Sequence, residues 1–310
     1  MDQDHNRIEE EYVTKIRRAL SDKKLVIIVG AGISLNAIRP PPSRITWIGL
    51  IENGLEFLEK KNFVAADDDE LIHYRRILRK NNTNLRTVLR ACAYLKDELD
   101  VHEQFPTWLE SVFGSLHRYV TNPKVLEVLR RFHQNGAKLM TTNYDDLLER
   151  HCNLQRVRRL IPEDIRKYEQ GTLDGIFHIH GSFHDPGEVV LDPIAYYQIT
   201  TSDDVQNLLQ TYLGHNTILF VGCGSGLEDP NFSNLLKWAS KREKNIPNHH
   251  YILAQEEDNL NYSPLITLEY GRSYQDLVPY LTWLLDDPAN ALIIDNSTKK
   301  DTFAKNVSGM

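Results

Sequence analysis

Cysteine is scarce in this 310-residue chain: Cys92, Cys152 and Cys223 stand far apart, their number is odd, and no C-x-x-C occurs. That pattern argues against a disulfide framework and a four-thiolate zinc site, and it favours a reducing, cytoplasmic setting. Long apolar runs are missing too, and no stretch approaches the roughly 20 residues of a membrane span. The polar start MDQDHNRIEEEY lacks the basic-then-apolar order of a secretory signal. A soluble, unsecreted protein with no membrane partner is expected. There is no basic excess either: the formal charge is -7, so no nucleic-acid partner is expected. No internal repeat is found.

What is present suits one large globular domain, with 41% hydrophobic and 25% charged residues. Ile8, Tyr12, Ile16 and Leu20 recur at helical spacing, which predicts an N-terminal helix over about residues 6–20 within a segment 1–21. The run LVIIV at residues 25–29 passes directly into Gly30-Ala31-Gly32, as a buried parallel strand entering a ligand loop does. Residues 47–120 read as a helical insertion, with Thr46 as an N-cap, Asp67 to Asp69 leading a second helix and Asn82 to Asn84 opening a third. Pro123 suits the start of a helix ending near Gly136. Further strands are predicted at 138–142, 176–180, 217–221, 250–254 and 266–270, and a closing helix at 276–285. The expected fold is α/β, a Rossmann-like doubly wound parallel sheet over residues 22–286. Residues 287–310 lose the apolar pattern and read as a tail or linker.

Ligands of such sheets bind beyond the carboxyl ends of the strands, so motifs that follow four strands can converge on one crevice. Gly30-Ala31-Gly32-Ile33-Ser34 lets backbone approach a diphosphate and offers amides and a hydroxyl, although Leu35 stands where a third fingerprint glycine would be. The same glycines also suit a tight strand-to-loop turn. In Thr141-Thr142-Asn143-Tyr144-Asp145, Asn143 can hold a ribose hydroxyl or a water, and Asp145 either assists or caps a helix beginning at Asp146. Phe177-His178-Ile179-His180-Gly181-Ser182 places two histidines on one strand face. His180 can serve as a general base; the alternatives are a hydrogen-bonded core histidine, or a metal set with His178, His184 and Asp185. Val221-Gly222-Cys223-Gly224-Ser225, followed by Asp229 and Asn231, suits a ribose or adenine, with Asp229 accepting from ribose or capping a helix ahead of Pro230. Cys223 reads as a small buried residue rather than a nucleophile.

GAGIS, TTNYD, HIHGS and VGCGS, in this order, resemble the Sir2 superfamily over about residues 22–285, and within it the Sir2-like branch of antiphage-defence proteins. The resemblance implies that Gly30, Ala31, Gly32, Ile33 and Ser34 hold the diphosphate of NAD. It implies that Asn143 and Asp145 line the nicotinamide ribose pocket, that Thr142 and Tyr144 also belong to the NAD-binding site, and that His180 is the catalytic base. Gly222, Cys223, Gly224, Ser225 and Asp229 would contact the adenosine ribose. The family's protein deacylases carry a zinc module of two C-x-x-C pairs and a G-I-P-D-F-R type segment. This chain has neither, and runs Leu-Asn-Ala-Ile-Arg-Pro-Pro-Pro-Ser-Arg after Ser34. No zinc is therefore expected, and whether Arg39 or Arg44 replaces the missing arginine is left open. The implied activity is NAD glycohydrolysis, with His180, Asn143 and Asp145 at the reacting centre and NAD as substrate. The alternatives are an NAD-dependent protein deacylase and a sensor that binds NAD or ADP-ribose without turnover. Regulation is expected through a homo-oligomer, an activator or a sensor domain, with the helical insertion gating the pocket or mediating self-assembly.

Overall fold

The computed structural model describes residues 2–80, 84–224, 250–256 and 263–286. Ser225, Asp229, Asn231 and the tail 287–310 lie outside them. Among the described residues, seven strands form one parallel sheet: β1 (Leu25–Val29), β2 (Lys138–Thr141), β3 (Gln155–Val157), β4 (Gly175–His178), β5 (Thr217–Val221), β6 (Tyr251–Ala254) and β7 (Ile266–Glu269). Their order is β3-β4-β2-β1-β5-β6-β7.

β1 is the centre because all five of its side chains are apolar and buried, the pattern of a strand covered on both faces. Leu25, Ile27 and Val29 enter one core while Val26 and Ile28 enter the other. The first core takes side chains from α1 (Asp2–Ser21), α2 (Ala31–Ala37), α3 (Trp47–Lys60), α4 (Asp69–Leu78), α5 (Leu85–Val101), α6 (Phe105–Phe113), α7 (Lys124–Gln134), α8 (Leu147–Cys152) and α12 (Leu277–Leu285). The second takes them from α9 (Pro162–Glu169), α10 (Pro193–Thr201) and α11 (Asp203–His215). None of the helices of the described residues is long and apolar enough to cross a membrane.

The helices between β1 and β2 start where their caps predict. Thr46 Oγ1 accepts from the Gly49 amide, Asp68 Oδ1 from Leu71 and Asn84 Oδ1 from Thr87, each satisfying a donor that the first turn leaves open. Other boundaries differ from expectation. α1 begins at Asp2, and α2 begins at Ala31, so the glycine motif is itself the entry to a helix. β4 stops at His178, with His180 in the turn beyond it, so the two histidines do not share a strand face. The turn closes through the Gly181 amide on the His178 carbonyl, and Gly181 has a φ of +79°, where a side chain would be strained.

After β1 the chain moves to one side of the sheet, through β2, β3 and β4. After α11 it returns to β5 on the other side of β1 and continues outward through β6 and β7. The carboxyl ends of β1 and β5 therefore flank the switch point at which doubly wound sheets bind ligands. Glycine sets how closely these ends meet. The Gly30 amide donates to Val221 O and the Gly32 amide to Gly222 O, each at 2.9 Å. A Cβ on Gly30 would lie 2.6 Å from Cys223 Cα, and one on Gly32 would lie 2.8 Å from Gly222 Cα.

Gly30→Ala is expected to lower the unfolding free energy by about 1–3 kcal/mol, the usual cost of forcing extra atoms into a packed interior. Gly214→Ala, on α11 with open space around it, should be neutral or slightly stabilising. Urea unfolding of both variants checks this; equal shifts would show that the close approach of the two loops carries no stability.

Candidate active site

A cavity of about 330 Å³ opens at the carboxyl ends of β1, β2, β4, β5 and β6. Of the residues singled out in the sequence, Gly30, Ala31, Gly32, Thr142, Asn143, Tyr144, Asp145, His180, Gly222, Cys223 and Gly224 line it. Four strand-end motifs thus meet in one place. Ile33 and Ser34 do not line it: Ile33 is core, and the Ser34 hydroxyl is buried beneath the wall. Nor are the glycine amides simply presented to a ligand, because those of Gly30, Gly32 and Ile33 are bonded to Val221, Gly222 and Gly30 carbonyls. Arg39 and Arg44 are both absent from the cavity lining.

Beneath the wall a directed chain of hydrogen bonds orients the polar groups. Asn143 Nδ2 donates to Gly30 O and to Ser34 Oγ, both at 3.1 Å. Ser34 Oγ donates to Asp145 Oδ2 at 2.7 Å, and Asp145 Oδ1 accepts from the Leu147 amide at 3.1 Å. Asp145 therefore receives the first free amide of α8, and it also anchors the network under Asn143. Since the Asn143 amide spends its donors on Gly30 and Ser34, what it offers a ligand is the acceptor Oδ1.

His180 is 5% exposed and meets the edge of the Tyr196 ring, with centroids 5.9 Å apart. Its carbonyl accepts from the Val190 amide at 2.8 Å, and Tyr144 donates its hydroxyl to Val190 O at 2.7 Å. The segment after His180 is thus tied to the segment after Asn143. The other groups weighed as metal ligands have separate partners: His178 meets Glu149, His184 lies 2.9 Å from Asp146, and Asp185 pairs with Arg156 at 2.7 Å. Burial pushes the Cys223 thiol up to about 12, which removes thiolate character at neutral pH.

Several wall residues were not recognised in the sequence. Trp47 and Leu50 of α3, Phe113 of α6 and Tyr196 of α10 form apolar surface facing the polar groups, and Gln255 follows β6. Gln255 had a usable signal, its position just past a strand end. Tyr196 had a weaker one, since Asp192 before Pro193 marks a helix start and Asp192 Oδ1 does accept from Ile194 and Ala195 amides.

The model for the SIR2-like domain family matches residues 137–274, a span that includes Asn143, Asp145, His180 and the Gly222–Gly224 turn. Residues 137–274 are thus similar to SIR2-like domains. It is also 25% identical over 268 residues to Defense-associated sirtuin 2 of Bacillus subtilis, across 84% of this chain. The chain spans 23% of the length of that relative. The matched span thus contributes Asn143, Asp145 and His180 to the cavity, while β1 and the first glycine loop lie outside it.

Burial raises the Asp145 carboxyl from 3.8 to about 6, against the lowering effect of the Ser34 and Leu147 hydrogen bonds. The unfolded chain titrates near the ordinary value, so between the two values the native state binds more protons. This group's contribution to stability is present below about 3.8 and is lost as pH rises through about 6. Asp145→Asn should therefore show a shallower decline in Tm between pH 4 and pH 7 than the parent. Parallel profiles would show that the Asp145 carboxyl is not perturbed.

Proposed function

We propose that this chain is an NAD glycohydrolase, converting NAD and water to nicotinamide and ADP-ribose. The observation that carries this reading is the convergence of Asn143, Asp145 and His180 in one cavity below the Gly30–Gly32 and Gly222–Gly224 turns. NAD is the substrate, lying across the switch point between β1 and β5.

In this reaction the bond between the ribose anomeric carbon and the pyridinium nitrogen breaks, and its electron pair leaves with neutral nicotinamide. The sugar passes through an oxocarbenium-like state, so catalysis depends on holding the ribose and delivering water. Asn143 Oδ1 accepts from a ribose hydroxyl or the attacking water. The Ser34 and Asp145 chain holds that amide in register, and Asp145 places negative charge near the developing cation. His180 takes the proton from water and releases it to solvent. The apolar wall of Trp47, Leu50 and Phe113 suits a planar leaving group and limits water. Because α3 and α6 supply that wall, the segment 47–120 is proposed as a gate, governed by self-assembly or an activating partner. The name of the Bacillus relative suggests that regulated NAD loss serves defence.

His180→Ala and Asn143→Ala should each lower turnover by about 10²-fold or more with little change in Tm, measured as nicotinamide release with and without an acetyl-lysine peptide. Unchanged turnover in His180→Ala would remove the base assignment. Release only with peptide would replace hydrolysis by deacylation, and NAD binding without release from protein at any concentration would favour a sensor.

A further inference from the structure

One buried ionisable pair has no role in the chemistry above. His178, the last residue of β4, is fully buried, and its two ring nitrogens face different partners. Nδ1 lies 3.1 Å from the Asn143 carbonyl oxygen and 3.3 Å from the Gly181 carbonyl oxygen. Carbonyls only accept, so this nitrogen must carry the proton. Nε2 meets Oε1 of Glu149 on α8, a residue 9% exposed whose Oε2 has no hydrogen-bond partner among the described residues.

These contacts fall at particular places. Asn143 is the residue whose side chain faces the cavity, and Gly181 directly follows His180. One imidazole therefore bridges the backbones at the ends of β2 and β4 that carry the two reacting side chains. Any buried imidazole must satisfy its ring nitrogens; what is particular here is that the partners are these two backbones and a buried carboxylate, which costs several kcal/mol to desolvate. Carboxylates behind imidazoles elsewhere set the tautomer and the ring orientation.

We propose that the His178–Glu149 pair positions the reacting residues: Glu149 fixes the ring of His178, and His178 holds the Asn143 and His180 turns at their working separation. This rests on the NAD-cleaving reading, in which both turns act on one substrate. Burial opposes a charged ring, but the carboxylates of Glu149 and then Asp145 outweigh it and hold the His178 pKa above its usual range. His178 and Glu149 are positioning residues that do not line the cavity.

The test compares the parent chain with Glu149→Gln and Glu149→Leu, by nicotinamide release and by nitrogen-15 resonances of the histidine rings and asparagine amides. The parent should show a proton on His178 Nδ1. Glu149→Gln can donate its amide to Nε2 while Nδ1 keeps its proton, so kcat should stay within roughly tenfold of the parent. Glu149→Leu leaves the ring unoriented; kcat should fall on the order of 10²-fold, with KM within about threefold, as for a misplaced catalytic group. Its His180 ring and Asn143 amide resonances should move. An unprotonated Nδ1 in the parent would overturn the proposal, as would a folded Glu149→Leu with unchanged kcat and resonances. If Glu149→Leu does not fold, the Nδ1 proton and the kcat of Glu149→Gln decide. Absence of nicotinamide release from the parent would overturn NAD cleavage alone, and the resonances would still decide the positioning role.

Discussion

The close approach of Gly30 and Gly32 to Gly222 is the constraint on which the other features of the cavity depend. Two strand ends with side chains at these positions cannot come within the observed distance, and the Gly30 carbonyl would then sit elsewhere. That carbonyl is the first link of a circuit. It receives Asn143 Nδ2, which also reaches Ser34; Ser34 reaches Asp145; and Asp145 holds the first amide of α8. Two residues further along α8, Glu149 meets His178, whose ring returns to the Asn143 carbonyl. A residue on the cavity wall is thereby held at both its side chain and its backbone, by groups from the turn after β1, from α2, from β4 and, through Glu149, from α8.

The cost of such a circuit is buried polarity, and the interior offsets it locally. Ser34, Asp145 and His178 are all buried, yet each has partners that match its donors and acceptors. In a low-dielectric interior, bonds of this kind are directional and costly to break. A polar network below the wall therefore supplies the rigidity that apolar packing alone does not give to side chains at a crevice.

Much of this was legible in the sequence because parallel strands covered on both faces announce themselves. LVIIV, KLMT and TILFV are short apolar runs that end in small or polar residues, and those residues do meet at the cavity. The caps at Thr46, Asp68 and Asn84 were legible for a similar reason, since one side chain and one amide decide each. β3 was not legible: Gln-Arg-Val is a three-residue edge strand with only Val157 buried. The turn at His180 was hidden as well, because strand alternation predicts one shared face for His178 and His180 until the positive φ of Gly181 breaks it. Glu149 gave no signal, for its partner lies 29 residues away. For the glycine motif the sequence leaves a ligand loop and a tight turn both open; its Gly30 and Gly32 amides are spent on another strand end, a distinction that only three-dimensional proximity can make.

The division of the interior into two cores has an evolutionary consequence. α3 to α6 pack within the first core, whereas Ile179, Val190 and Tyr196, which surround His180, belong to the second. Within that helical segment, Trp47 packs against both cores and Leu89 against the second. Substitutions along α3 to α6 that spare Trp47, Leu89 and the packing of α5 on α10 can therefore reshape what the cavity admits while leaving the support of His180 largely intact. What the cavity admits can thus vary apart from what supports His180, with Trp47 and Leu89 as the positions where the two remain tied.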